Sequence, residues 1–170
     1  ILSKLEGEGD LERITSNVDP RFHAAAIMRS RDPGKALLFH SIGKSGRKVV
    51  ANLFAKRGRI AKGLGIEEGE IHRHLLRSIE NPVGCKEVHA SLEAKMGSGE
   101  LSNLPVLTHY EKDAGPYITS ATVIAADPET GVQNASIHRL LLRDGHLVIR
   151  MVEGRHLHRI FEKHRARGKD

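Results

Sequence analysis

The feature that most constrains the fold is a change of hydrophobic period near residue 100. Beyond it, four segments alternate apolar and polar side chains in close succession: PVLTHYE (105–111), YITSATVIAA (117–126), NASIHRLLL (134–142) and HLVIRMV (146–152). A period of two is typical of β-strands with one face towards a core. The turn sequences DPETG and RDG separate the last three segments, so the pattern predicts an antiparallel meander.

The end of the chain predicts an amphipathic helix. In GRHLHRIFEKHRARGKD (154–170), three apolar residues fall on the inner side and three basic residues on the outer side: Leu157, Ile160 and Phe161, against Arg159, Lys163 and Arg167. A stripe with this spacing is what a helix that packs on a core requires.

The first half of the chain predicts helices and strands in mixed order. Asp19 as N-cap and Pro20 as first residue predict a short helix that ends at DPG (32–34) and carries Phe22, Ala26 and Met28 along one side. KALLFHSI (35–42) and KVVANLF (48–54) predict two buried strands joined by a glycine-rich turn. Helices are expected over residues 56–66 and 67–80, the second with Glu67 and Glu68 in its first turn.

The polar connector KMGSGELSN (95–103) is the expected domain boundary. The predicted fold class is therefore α+β, with a small α/β layer region over residues 1–100 and a strand-rich region with a closing helix over residues 101–170.

Composition limits the class of protein. A chain of 170 residues with 39% hydrophobic residues suffices for one domain or two small ones. The single cysteine, Cys85, cannot form an internal disulfide, and no apolar run approaches the roughly 18 residues that span a bilayer. We therefore expect a soluble protein without a membrane partner, in the cytoplasm by default. The first residue is Ile1 rather than methionine, so processing or excision from a longer chain is an open expectation.

The net charge of +6 and the densest basic cluster, residues 43–63, permit binding to nucleic acid. The simpler interpretation is a solvated loop and helix face. Aromatic residues are 4% of the chain, which leaves little for base stacking. We therefore expect a surface or a partner interface at this cluster, with a nucleic-acid partner as the less favoured alternative.

Three polar residues of the strand-rich half suggest a site. His156 lies at the junction between the last predicted strand and the last predicted helix, near backbone N–H groups that can bind phosphate. Asn134 follows a tight turn, where its side-chain oxygen can bind a metal ion. Strict alternation puts Arg139 on the opposite face from Asn134, so shared use requires a bulge or a ligand across the strand. A purely structural role for Asn134 and His156 remains open.

The residues in this half also carry a resemblance to a known family. DAGPYITSATVIAADPETGVQNASIHRLLL followed by HLVIRMVEGRHLHRIFEKHRARGKD resembles the prenylated-flavin-binding region of the UbiD family of reversible decarboxylases. The stretch from VDPRFHAAAIMRS to NLFAKRGRIAKGLGI is similar to the family's N-terminal region. The resemblance covers most of the chain, and N-x-S-I-x-R with a downstream R-H is its most specific part.

The resemblance implies a role for each matching position. Asn134 corresponds to a ligand of a divalent metal, usually manganese, that bridges to the flavin phosphate, and His156 to a ligand added in some branches. Arg139 corresponds to the arginine near the reacting carboxylate, which makes it the expected catalytic residue. The expected cofactor-binding residues are Ile137, His138, Arg139, Arg150, Met151, Val152, Arg155 and His156. The strand-rich half is expected to form part of a split β-barrel, and magnesium or a K⁺ companion ion remains open.

The chain departs from the family pattern because the family continues for several hundred residues beyond the position of Asp170. That part carries a third metal ligand and the acidic residues that act with the arginine, and neither Glu153 nor Glu162 matches them. A domain fragment, a small subunit completed by another chain, and a stand-alone protein without catalysis are three explanations.

Three functions follow as hypotheses. The first is part or a subunit of a decarboxylase of α,β-unsaturated or aromatic acids, with prenylated FMN as electron sink. The others are a flavin-binding module without turnover and a basic RNA-associated protein. We expect a homo-oligomer or a larger complementary chain, and no decarboxylation at an enzymatic rate by this chain alone.

Overall fold

The computed structural model of this chain describes residues 1–84 and 101–169. Its residues divide into two compact units, Ile1–Asp19 with His23–Pro105, and Pro20–Phe22 with Val106–Asp170. In the described residues, each unit contains one three-stranded sheet, and the two units together contain five α-helices. The predicted α+β fold class is therefore confirmed. Cys85 and most of the predicted connector at 95–103 lie outside the described residues.

Among its described residues, the first unit contains a mixed sheet and four helices. Its elements are α1 (Leu2–Gly7), β1 (Leu11–Val18), α2 (His23–Ser30), β2 (Ala36–Ile42), β3 (Val49–Ala51), α3 (Arg57–Leu64) and α4 (Ile71–Glu80), with a 3₁₀ turn at Glu68–Glu70. In the centre, β2 pairs in parallel with β1 and antiparallel with β3. Strands are thus present in both predicted segments, 35–42 and 48–54, but β3 is shorter than its segment and none of its residues is buried, so the prediction of a buried second strand is wrong.

The core of this unit is built on β2. Four consecutive residues, Ala36 to Phe39, are buried, so both faces of the strand are covered, as expected for a central strand. The hydrophobic pattern does not predict β1, because Val18 is the one buried residue of that strand and the others are at least partly exposed.

The start of α2 differs from the prediction. This helix begins at His23 rather than at Pro20, so the predicted start is wrong. Phe22 has a φ of 67°, which no right-handed helix accommodates, and its N–H donates to Thr108 O at 2.9 Å. Tertiary pairing of the preceding residues therefore delays the helix. Its buried residue is Ala24.

One cation of the basic cluster is a core residue. The side chain of Arg59 is 2% exposed. Its Nε and Nη2 donate to the two carboxylate oxygens of Asp10 at 2.7 and 2.6 Å, and further N–H groups donate to Asn52 O and Gly34 O at 2.9 and 2.6 Å. The expectation of an entirely surface cluster at 43–63 is therefore wrong at Arg59. This guanidinium joins four separate segments instead of facing a partner.

The second unit contains the antiparallel meander. Its elements are β4 (Tyr117–Ala126), β5 (Gln133–Arg143), β6 (His146–Ile149) and α5 (His156–Ala166). The strands pair in chain order, which confirms the predicted topology for the last three strand segments. This sheet does not close into a barrel within the described residues.

The segment PVLTHYE, the first of the four predicted strands of this half, does not form a strand. It contributes single bridges, between Leu107 and Tyr117 and between Thr108 and Arg21. The chain then turns, with Asp113 N–H donating to Tyr110 O at 3.1 Å. The turn ends the pairing after two residues. The alternation of apolar residues alone therefore predicts a longer strand than the structure contains here.

The last helix packs as predicted on its apolar side. Leu157 and Ile160 are buried and Phe161 is half-buried. Two of the predicted outward-facing residues have specific partners, because Lys163 Nζ lies 2.7 Å from Asp127 Oδ2 and Arg167 donates to Pro128 O at 2.7 Å. These contacts attach α5 to the turn between β4 and β5. None of the helices in the described part is long and apolar enough to span a membrane.

Candidate functional site

The strand β5 presents two chemically different faces. Asn134, Ser136 and His138 are half-buried, whereas Ala135 and Ile137 between them are exposed. This alternation follows directly from the pleat of a β-strand. The half-buried face of β5 therefore carries three polar side chains in a row.

The one irregularity of the β4–β5 ladder lies opposite Arg139. Ile118 pairs with Leu140 and Ala121 with His138, so two residues of β4 oppose Arg139 alone. This is a β-bulge in β4, and exposed and half-buried residues alternate along β5 from residue 133 to 140. Arg139 consequently stays on the face opposite Asn134. Of the two arrangements considered from the sequence, a ligand lying across the strand is the one compatible with this geometry.

The start of α5 lies beside the polar face. Arg155 is the N-cap in extended conformation and makes no side-chain capping hydrogen bond. The first backbone bond into the helix is Arg159 N–H to Arg155 O at 3.0 Å, so the N–H groups of the first turn, residues 156–158, have no helical acceptor. These groups, with the positive end of the helix dipole, favour an anion.

A surface pocket of about 220 Å³ joins the two features. Its lining comes from β5, from the segment after β6 and from the start of α5: Asn134, Ser136, Ile137, His138, Val152, Arg155, His156, Leu157 and His158. Ligand pockets of small molecules and cofactors typically hold about 300–1,000 Å³. This pocket therefore has room for one end of a nucleotide-sized cofactor and not for the whole.

Hydrogen bonds fix the polar side chains of the pocket. Asn134 Nδ2 donates to Ser136 Oγ at 3.3 Å, and Ser136 Oγ lies 2.9 Å from His138 Nε2. Because the amide nitrogen is engaged, Asn134 Oδ1 remains as an acceptor without a hydrogen-bond donor among the described residues. An amide oxygen oriented in this way is a suitable ligand for a hard cation.

The donor set fits a divalent metal in part. Asn134 provides an amide oxygen and His156 an exposed imidazole on the same pocket, the ligand types that manganese and magnesium sites combine with water and phosphate oxygens. The part of the chain that the structure describes has no group of three His, Cys, Asp or Glu side chains placed to hold a metal. The chain therefore supplies some of a metal's ligands and needs others from the ligand or from elsewhere.

Arg139 lies outside this pocket, in a second polar cluster. Its Nη2 donates to Asp113 Oδ1 at 3.2 Å, and its Cζ lies 4.3 Å from the ring centroid of Tyr117. His109 belongs to the same cluster, and burial lowers the pKa of its imidazole while the charge of Asp113 partly opposes the shift. The guanidinium itself is half exposed, with 53% of its side chain accessible.

The structure thus brings some of the predicted residues together and leaves others apart. Six line the pocket, namely Asn134, Ile137, His138, Val152, Arg155 and His156, whereas Arg139, Arg150 and Met151 do not. The sequence interpretation missed Ser136, His158, Asp113 and Tyr117. For Ser136, the signal was available, because a position two residues from Asn134 must share its face.

Comparison with protein families identifies the chain. A model described as the 3-octaprenyl-4-hydroxybenzoate carboxy-lyase Rift-related domain matches residues 79–170, and the model of the N-terminal domain of the same carboxy-lyase matches residues 2–79. These two matches cover nearly the whole chain. The chain belongs to the UbiD family.

Named relatives and solved structures agree with this assignment. The anhydromevalonate phosphate decarboxylases of Methanothermobacter thermautotrophicus and Methanosarcina mazei are each 36% identical, over 92% and 98% of this chain and 37% and 39% of their own lengths. The UbiD-class enzyme HmfF from Pelotomaculum thermopropionicum, as an evolved dimeric form in complex with prFMN, is 35% identical with a TM-score of 0.88, over 99% of this chain and 41% of that one. The structure of HmfF in complex with FMN has a TM-score of 0.87 at 35% identity, over 99% of this chain and 39% of that chain. This chain spans about two fifths of the length of these relatives.

Proposed function

We propose that this chain supplies the phosphate- and metal-binding part of a UbiD-class decarboxylase that uses prenylated FMN. The observation that carries the proposal is the pocket in which Asn134 meets the uncapped N-terminus of α5. Similarity to HmfF in complex with prFMN and with FMN supports it. The proposed substrate is an α,β-unsaturated or aromatic carboxylic acid.

Each residue of the pocket has a proposed task. Asn134 Oδ1 and the imidazole of His156 bind a divalent cation, with manganese as the proposed metal and K⁺ as the proposed companion ion. The first-turn N–H groups of α5 bind the cofactor phosphate. When bound, prenylated FMN supplies the electron sink for the loss of carbon dioxide. On the other face of β5, Arg139 binds the substrate carboxylate through its remaining N–H groups.

We further propose that another segment or another copy completes the site. The pocket is smaller than a whole cofactor requires, and the described residues offer two metal donors where manganese prefers about six. The strand β6 pairs only with β5 within the described residues. Ile137, which also borders the pocket, and Ile124 are exposed apolar residues of this sheet, 76% and 65% accessible. An unpaired edge at β6, together with exposed apolar residues on the other strands of the same sheet, favours association with further strands or another copy.

A flavin-binding module without turnover is the second candidate. It is favoured by the state of Asp113, the acid that contacts Arg139 in the described residues. Its carboxylate is engaged in an ion pair and 12% exposed, so it is poorly placed to deliver a proton to a substrate. Flavin binding without carbon dioxide release, even with the complementary segment present, would favour this candidate.

The experiment is a comparison of flavin and metal retention in matched variants. The purified chain is loaded with FMN or prenylated FMN and Mn²⁺, desalted, and measured by absorption and elemental analysis. Asn134→Ala should lose metal-dependent flavin retention, whereas Gln133→Ala, an exposed neighbour on the same strand, should retain it. Equal flavin and metal content in the two variants would contradict the proposed site.

A further inference from the structure

The guanidinium of Arg139 is contacted from two sides by residues that precede or open β4. Asp113 Oδ1 accepts a hydrogen bond from Nη2 at 3.2 Å, and the ring of Tyr117 lies 4.3 Å from Cζ. An arginine side chain carries five N–H donors. One donor is engaged by Asp113, so the others remain available to an anion on the exposed face of β5.

Asp113 is itself held in place by backbone groups. Its Oδ2 accepts a hydrogen bond from Tyr110 N–H at 3.1 Å, and its own N–H donates to Tyr110 O at 3.1 Å. Its side chain is 12% exposed, against 53% for Arg139. One carboxylate oxygen therefore anchors Asp113 on the turn, and the other is directed at the guanidinium.

Tyr117 is anchored equally well. Its N–H donates to Leu107 O at 2.8 Å, and the neighbouring Pro116 O accepts from Leu142 N–H at 2.9 Å. The strand is thus paired on both sides at this point, just before the bulge opposite Arg139. The backbone that carries the aromatic ring is therefore held in place, and the guanidinium stacks on that ring.

Near neutral pH, Arg139 and Asp113 are the charged groups of this cluster. Burial lowers the pKa of His109, so its ring is neutral there. Its Nδ1 is buried and has no hydrogen-bond partner among the described residues. Asp113 is then the group that balances the charge of Arg139 in this cluster, and the imidazole adds no competing cation.

We propose that Asp113 and Tyr117 are positioning residues for Arg139. They hold the guanidinium so that its unused N–H groups face outward, ready for two parallel hydrogen bonds to a carboxylate. The inference rests on the proposed function, because the carboxylate in question is that of the substrate. Loss of the positioning should weaken carboxylate binding about three- to tenfold, the cost of ordering one flexible side chain on binding.

The test observes Arg139 directly and requires no flavin. The Nε–H signal of Arg139 in the whole ¹⁵N-labelled chain, assigned with Arg139→Lys, reports its mobility and its response to benzoate, with benzamide as the uncharged control. In the wild type, the signal should be rigid and should respond to benzoate alone. Asp113→Ala and Tyr117→Leu should make the Arg139 signal mobile and weaken benzoate binding about three- to tenfold. Tyr117→Phe should keep the full rigidity of the wild type, and Asp113→Glu should keep most of it.

Several results would overturn the proposal. A mobile Arg139 or no benzoate response in the wild type would do so, as would tighter benzoate binding by Asp113→Ala, because Asp113 would then be a competitor. Equal losses in Tyr117→Phe and Tyr117→Leu would remove the role of the ring. Circular dichroism of each variant separates these effects from unfolding. Because flavin retention is measured separately, failure here is distinguishable from failure of the proposed function.

Discussion

Asn134 and Arg139 lie on opposite faces of β5, since the bulge that faces Arg139 is in β4 and leaves the alternation of β5 intact. We therefore predict that the two tasks are separable. Arg139→Gln should keep metal-dependent FMN retention and lose the response to benzoate, whereas Asn134→Ala should show the reverse. Desalting followed by absorption, together with a benzoate titration, checks both. Loss of both properties in each variant would show a single, shared site.

The pair between Asp10 and Arg59 should be a main determinant of stability. Breaking a buried pair leaves a charge without a partner, which typically costs 3–5 kcal/mol, and for the partly exposed Asp10 we expect about 3 kcal/mol in Asp10→Asn. Urea unfolding measures the change. The control is Glu6→Gln, which removes the exposed partner of Arg13 and should change the midpoint little. Similar midpoints for the two variants would contradict a core role for Arg59.

The same pair predicts how stability depends on acid. The hydrogen bond from Arg59 lowers the pKa of the Asp10 carboxyl below its ordinary value. Its stabilising contribution is therefore complete above the unfolded pKa of about 3.9 and is lost as pH falls through the lower folded pKa. Acid titration followed by circular dichroism should show a shallower decline below about pH 4 in Asp10→Asn than in the wild type. Parallel curves would argue against this linkage.

His109 should titrate below the ordinary histidine range, because burial lowers its pKa. The lowered value means that the folded state favours the neutral ring, so the stability associated with it is present above about pH 6.5 and declines as pH falls. A ¹H–¹³C NMR titration measures the pKa, and the signal missing in His109→Gln identifies the ring. An ordinary or raised value would contradict the burial argument.

Turnover should require more than this chain. General acid–base groups typically accelerate a reaction about 10²- to 10⁴-fold. When several groups act as a unit, the loss of one removes most of the acceleration. We therefore expect no carbon dioxide release at an enzymatic rate from a cinnamate-like or hydroxybenzoate-like acid by the isolated chain loaded with prenylated FMN. The complementary segment of a relative, added in trans, should restore release, as followed by headspace analysis. Fast release by the isolated chain would contradict the prediction.

The sequence by itself determined the local features of this protein. The period of two between residues 117 and 149 predicts β4, β5 and β6, and the apolar stripe of α5 predicts the burial of Leu157 and Ile160, because both patterns report neighbours along one element. The N-x-S-I-x-R motif likewise led to the family. The tertiary structure alone decided what depends on distant partners: the burial of Arg59 against Asp10, 49 residues away, and the contact of Asp113 with Arg139, 26 residues away. An exposed and a buried arginine look alike in a sequence, because burial of a charge depends on whether the fold brings a carboxylate to it.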